Sequence, residues 1–137
     1  MDMSEQTPKS MFLTSMNRCL ANDAFIPAFY ERFMGSSEEI KNKFRFTNFE
    51  KQNAMLARSL ELCAGATAGE PESLVELNER ARTHDRDHLN IEPSYYNEWL
   101  EAIVVTASEF DEDWADETEE AWRKILGYAI EHMVRKY

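Results

Sequence analysis

Apolar residues in this chain recur three and four positions apart over nearly its whole length, and only four glycines and four prolines interrupt them. That period belongs to an amphipathic helix and not to the two-residue alternation of a half-buried strand. The chain therefore reads as all-α, which excludes most sheet-based enzyme folds. Met11, Phe12, Met16 and Leu20 form one stripe in a first helix over 8–21. Asn22 or Asp23 can cap a second helix that ends near Gly35 and turns Phe25, Phe29 and Phe33 inward. Pro27 falls in its first turn, where a missing N–H is harmless. Ser36 with Glu39, and Thr47 with Glu50, have capping-box spacing; they predict a short helix through EEIKNKF and a long one reaching about Ala64. The stretch GATAGEPE breaks the chain, and Pro71 restarts it with Leu74, Leu77, Ala81 and His84 on one face. Pro93 opens a helix carrying Tyr96, Leu100, Ile103 and Ala107 on one side, and Ala121, Ile125, Ala129 and His132 line a last one. The total is about seven helices.

A chain of 137 residues is sized for one domain, taken here as 1–137, with room for a core but not for a second catalytic module. Its formal charge is -11, much of it in SEFDEDWADETEE at 108–120, so a phosphate backbone or an anionic bilayer would be repelled. Neither nucleic acid nor a membrane is an expected partner. The opening MDMSEQTPKS lacks a basic, then apolar, export signal, and no apolar run approaches the roughly eighteen residues of a span. Cys19 and Cys63 have no CxxC spacing and read as two packed, reduced thiols, which points to a cytoplasmic protein.

The chemistry-bearing residues are His84 and His88, four positions apart in RARTHDRDHLNIEPSYYNEW. Such a pair can put two imidazoles on one side of a helix, as zinc sites do, but zinc needs a third and usually a fourth ligand, and Asp85 and Asp87 point elsewhere. Taken from spacing alone, His84 reads equally as a satisfied core histidine and His88 as a solvent-facing residue of a last helical turn. His132 has no acid or thiol at ligand spacing and reads as a packed or surface residue.

Four local patterns, in order, resemble the globins of bacteria. AFYERFM at 28–34 is similar to the second globin helix, with an aromatic pair, Phe29 and Tyr30, facing the distal side of a haem. KNKFRF at 41–46 is similar to the corner that carries a haem-stacking phenylalanine, here Phe44. EKQNAMLARSL at 50–60 resembles the distal helix, with Gln52 facing the ligand and Leu56 one turn later above the haem. ARTHDRDHLNIEPSYYNEW at 81–99 resembles the segment of the proximal histidine, ending in Pro-x-x-Tyr at Pro93 to Tyr96. The resemblance implies a globin-like fold of about seven helices around a haem pocket. It implies a b-type haem held non-covalently, since no CxxCH is present.

An iron porphyrin needs a neutral imidazole on one side, an apolar slot and a few polar groups placed for a diatomic ligand. His84 ends the stripe of Leu74, Leu77 and Ala81, so it is the expected iron ligand. The distance from ligand to proline in flavohaemoglobin-like sequences lies between that of His84 and that of His88, which keeps His88 as the second candidate. The resemblance implies that Tyr30 and Gln52 donate hydrogen bonds to the gas and that Tyr96 lies beneath the haem. The plainer readings are a core aromatic for Tyr30, a solvated helix face for Gln52 and ordinary packing for Tyr96. A proximal acid is expected from the last helix, where Glu131 is available but out of register. Met34 and Met55 read as gap-filling core.

Three functions follow. The first is a haem globin that binds dioxygen, nitric oxide or carbon monoxide, for transport or for nitric oxide detoxification; no flavin or nicotinamide domain is legible, so turnover would draw on a separate reductase, and whether the protein is an enzyme stays open. The second is a gas or redox sensor that uses the 108–120 connection as a partner surface, although a charge run is usually a solvated one. The third is a haem-free protein that keeps the fold.

Overall fold

The computed structural model describes residues 7–67, 69–84 and 93–135, and among them the chain forms seven helices and no strand. They are α1 (Pro8–Leu20), α2 (Phe25–Met34), α3 (Glu38–Lys43), α4 (Phe49–Thr67), α5 (Pro71–His84), α6 (Pro93–Phe110) and α7 (Asp116–Arg135). None is long and apolar enough to cross a membrane. Prolines occupy the first turns of α1, α2, α5 and α6, where their fixed φ favours the helix and no hydrogen bond is lost.

Two caps lie one residue later than the capping-box spacing predicts. Ser37, not Ser36, caps α3, its hydroxyl accepting from the Ile40 N–H at 3.1 Å, while Ser36 donates back to the Phe33 carbonyl at 2.6 Å and helps to close α2. Asn48, not Thr47, leads α4, its side-chain oxygen accepting from the Glu50 and Lys51 N–H groups at 3.1 and 3.3 Å. Asn22 accepts from the Ala24 N–H at 2.9 Å, so it forms the turn ahead of α2 without capping it directly. In each case two adjacent polar residues compete for one role, and the helix register set by packing decides. The helix predicted to end near Ala64 continues to Thr67. Gly69 follows with φ 80°, a left-handed turn that glycine enters without steric cost.

α7 is the hub. It packs against α1, α4, α5 and α6, while α2 lies on α6 and α5 on α4. Trp122 of α7 is fully buried and meets Phe12 of α1 edge-on, with ring centroids 4.9 Å apart. Its indole Nε1–H donates to the Ser15 hydroxyl at 2.9 Å, which in turn donates to Asp111 Oδ2 at 2.6 Å. Arg18 closes the network with a two-pronged contact to Asp111, at 2.5 Å and 3.1 Å. Burial works to raise the Asp111 pKa, but Arg18, Ser15 and the Asp113 N–H together hold it below the ordinary carboxylate value. The 108–120 segment is thus not simply a solvated acidic run: its Asp111 points inward and ties the α6–α7 connection to α1.

Phe25 meets Phe110 and Phe29 meets Trp99 edge-on, fixing α2 against α6. Arg32 strengthens the same contact through Thr106 and Glu109. Gly65 lets α4 come close to the start of α5: a Cβ there would overlap Ser73 and Glu70.

Candidate functional site

α2 to α7 line a partly open cavity of about 400 Å³, within the range of roughly 300–1,000 Å³ usual for small-molecule and cofactor sites. Its walls are mainly apolar. Phe33, Ile40 and Phe44 come from α2, α3 and the corner after it; Leu56, Leu62 and Cys63 from α4; Leu77 from α5; Trp99 from α6; and Leu126, Ala129, Ile130 and Met133 from α7. The polar lining is sparse and comes from separate helices: Tyr30, Gln52, Ser59, Arg80, His84, Tyr95 and Tyr96, with Lys43 and Thr47.

The sequence predicts seven described site residues, and the structure brings six of them to this cavity: Tyr30, Phe44, Gln52, Leu56, His84 and Tyr96. Phe29 is not among its lining residues. It is fully buried among Tyr30, Phe33 and Trp99, with ring centroids 4.9, 5.6 and 5.9 Å away, and supports the wall from behind. Phe33, one helical turn later, takes the lining position. His88, the second candidate ligand, lies outside the described residues. Met55, expected as core, is 48% exposed and borders the cavity, whereas Met34 is partly buried against the core.

His84 is the last residue of α5, and its Nδ1 lies 2.8 Å from the backbone carbonyl of Arg80, one turn earlier. A carbonyl oxygen only accepts, so Nδ1 carries the proton and Nε2 keeps its lone pair. The Thr83 hydroxyl donates to the same carbonyl at 3.0 Å. Burial pushes the His84 pKa below 6.5; the Arg80 carbonyl opposes that shift, and the nearby Arg80 charge adds to it. The imidazole is therefore neutral at neutral pH, in the tautomer that offers Nε2 to a metal. Glu131 is exposed on the outer side of α7, and no carboxylate lines the cavity among the described residues.

Tyr30 is 4% exposed, and its hydroxyl donates to the Gln52 carbonyl at 3.4 Å, a long bond. This is the backbone contact of the plainer reading, but it is made at the cavity wall. Burial pushes the Tyr30 pKa up to about 12, so the phenol keeps its proton. Phe44 and Phe49 hold the ring edge-on at 5.6 and 5.5 Å. Burial likewise pushes Tyr96 up to about 12. Tyr95, not singled out in the sequence, reaches Glu39 at 2.9 Å and joins α6 to α3. His132 bonds Asn78 at 2.6 Å, linking α7 to α5 away from the cavity.

Among the described residues no three His, Cys, Asp or Glu side chains gather as a zinc shell requires. A single histidine in an apolar slot instead suits a metal that brings its other ligands with it, as a porphyrin does. The cavity also carries two cations, Lys43 and Arg80, and the sequence patterns did not single out either of them.

The globin family model matches residues 16–133. The crystal structure of a protein from Pseudomonas aeruginosa PAO1, described as structurally highly homologous to a human hemoglobin, is similar to this chain at 30% identity. The match covers 96% of this chain and 98% of the other, with a TM-score of 0.91. No curated protein matches the chain. A seven-helix arrangement around an apolar, histidine-bearing cavity, together with a family match over most of the sequence, has one conclusion: this chain belongs to the globin family.

Proposed function

We infer that the protein binds one b-type haem through His84 and uses it to take up a diatomic gas such as dioxygen, nitric oxide or carbon monoxide. The observation that carries this reading is the state of His84: Nδ1 is engaged by the Arg80 carbonyl, and the ring lines an apolar cavity with its Nε2 lone pair available. When bound, the haem supplies an iron centre with an open coordination position. His84 would hold that iron, Phe44 and Leu56 would supply apolar surface for the ring, and Lys43 and Arg80 would suit the two carboxylates at a porphyrin edge.

Tyr30 and Gln52 supply the polar part of the site. A gas that gains negative charge on coordination is stabilised by an O–H or N–H donor held in a dry pocket, far more than by the same donor in water. At 3.4 Å the Tyr30 bond to the α4 backbone is long and weak, so turning the O–H to such a ligand would give up little. The partner of His84 Nδ1 is a neutral carbonyl, which leaves the ligand as an imidazole without imidazolate character and favours gas binding over O–O bond cleavage. The reading commits to binding and not to catalysis.

The test is spectroscopic. Purified protein titrated with haem should give a Soret band that saturates at one equivalent, shifts on addition of carbon monoxide to the reduced form, and loses its colour to acid–acetone. No saturable band, or colour that stays with the precipitate, would overturn the reading.

A further inference from the structure

The outer face of α7 carries a row of residues that, among the described residues, no other helix covers. Glu120, Lys124, Tyr128, Glu131 and Arg135 are exposed along it, and Gly127 sits beside Tyr128. Arg123, Lys124, Gly127, Tyr128 and Glu131 border a depression open to solvent. Gly127 is the feature that needs a reason. Glycine weakens a helix interior, yet a Cβ at this position would meet nothing within 4 Å. Among the described residues no contact requires its small size.

The charges on this face are arranged with equal regularity. Lys124 and Glu131 lie equally far from the midpoint between Gly127 and Tyr128, and so do Glu120 and Arg135. When α7 is laid antiparallel on α7 of a second copy about that midpoint, each Lys124 faces Glu131 of the second copy and each Glu120 faces its Arg135. The Tyr128 ring then lies over Gly127 of the other chain. A parallel arrangement would instead set like charges opposite each other. Arg123, just off this row, is bound to Glu101 and Glu119. Among the described residues none of Glu120, Lys124, Glu131 and Arg135 is in an ion pair.

We propose that α7 forms a two-fold dimer interface with a second copy of this chain, with Tyr128 packing over Gly127 at the centre and Lys124–Glu131 pairs on either side. The surface is self-complementary, as an isologous contact requires, and it has an aromatic centre with a charged rim. The face is on the outside of the helix whose inner side lines the cavity, so the inference does not depend on the gas-binding reading.

Sedimentation velocity on the full chain, with and without one equivalent of haem, tests this. The protein should be dimeric at tens of micromolar and dissociate as salt rises. Lys124→Glu or Glu131→Lys should each weaken the dimer by at least about tenfold, because each sets like charges opposite each other at two symmetry-related sites. The double variant Lys124→Glu/Glu131→Lys should recover most of the loss, since the pairs are restored with their signs exchanged. Circular dichroism that matches the parent chain shows that each variant is folded. A monomer at high concentration, a dimer indifferent to the single changes, or a double variant no stronger than the singles would each overturn the proposal.

Discussion

The Nδ1 nitrogen of His84 and the backbone carbonyl of Arg80 are 2.8 Å apart within one turn of α5. This contact orients a terminal histidine, because the proton is held on Nδ1 while Nε2 keeps its lone pair on a ring that lines the cavity. An α-helix supplies such a partner readily, since a backbone carbonyl has two lone pairs and can accept a side-chain N–H beside its helical bond.

Replacing His84 with Ala should abolish stoichiometric haem binding, and millimolar imidazole should restore part of the Soret band by entering the vacated space. His88→Ala should leave binding largely intact. Titration of both variants with haem checks the assignment; the opposite pattern would move the iron ligand to His88.

Acid should release the haem from the low side of the ordinary imidazole range. The folded His84 pKa lies below 6.5, so the unfolded chain takes up this proton at a higher pH than the folded one. The stabilisation from a neutral His84 is complete above 6.5 and is lost as pH falls through the folded pKa. Haem affinity should follow the same course, since proton and iron compete for Nε2. An NMR titration of the haem-free protein should give a His84 midpoint below 6.5, and a midpoint at or above that value would contradict the burial argument.

Tyr30→Phe should speed dioxygen release from the reduced protein by roughly one to two orders of magnitude. A lost hydrogen bond to a partly charged acceptor in a buried site costs roughly 1.5 to 3 kcal/mol, and each 1.4 kcal/mol is about a factor of ten. Gln52→Leu should act in the same direction but less, because its amide is on a longer, half-buried stem. Carbon monoxide carries little charge on its outer atom, so its release should change far less. Stopped-flow displacement of both gases gives the ratio; equal effects would mean that Tyr30 only fills space.

Asp111→Asn should destabilise the fold by roughly 2–3 kcal/mol. Removing one partner of a buried ion pair costs about 3–5 kcal/mol, and the partly exposed Arg18 brings the figure down by recovering some hydration. The native stability from this carboxylate is present above the unfolded Asp pKa, because its folded pKa is depressed, and is lost as pH falls through the folded value. Denaturant midpoints of the two proteins should therefore converge in acid; a constant gap at all pH values would mean that the charge of Asp111 contributes nothing.

The sequence by itself determined the helices and their inner faces. A period of three to four puts Phe25, Leu77, Ala81 and Ile125 inside whatever the helices pack against, and the same stripe carries His84 into the cavity wall. The family patterns supplied the order of the segments around it. What tertiary structure decided were matters of one residue or one turn: Ser37 over Ser36, Asn48 over Thr47, and Phe33 in place of Phe29 at the wall. A helical stripe is broad enough to hold two aromatics, and only the position of α6, with Trp99 against Phe29, settles which of them lines the space. Asp111 shows the same limit. In a run of acids nothing marks the one that faces inward, because its partners Ser15 and Arg18 are more than ninety positions away in the chain. Lys43 and Arg80 are brought to one cavity in the same way. Charge and period are local properties of a chain, whereas the burial of a particular charge is a property of the helices that close over it.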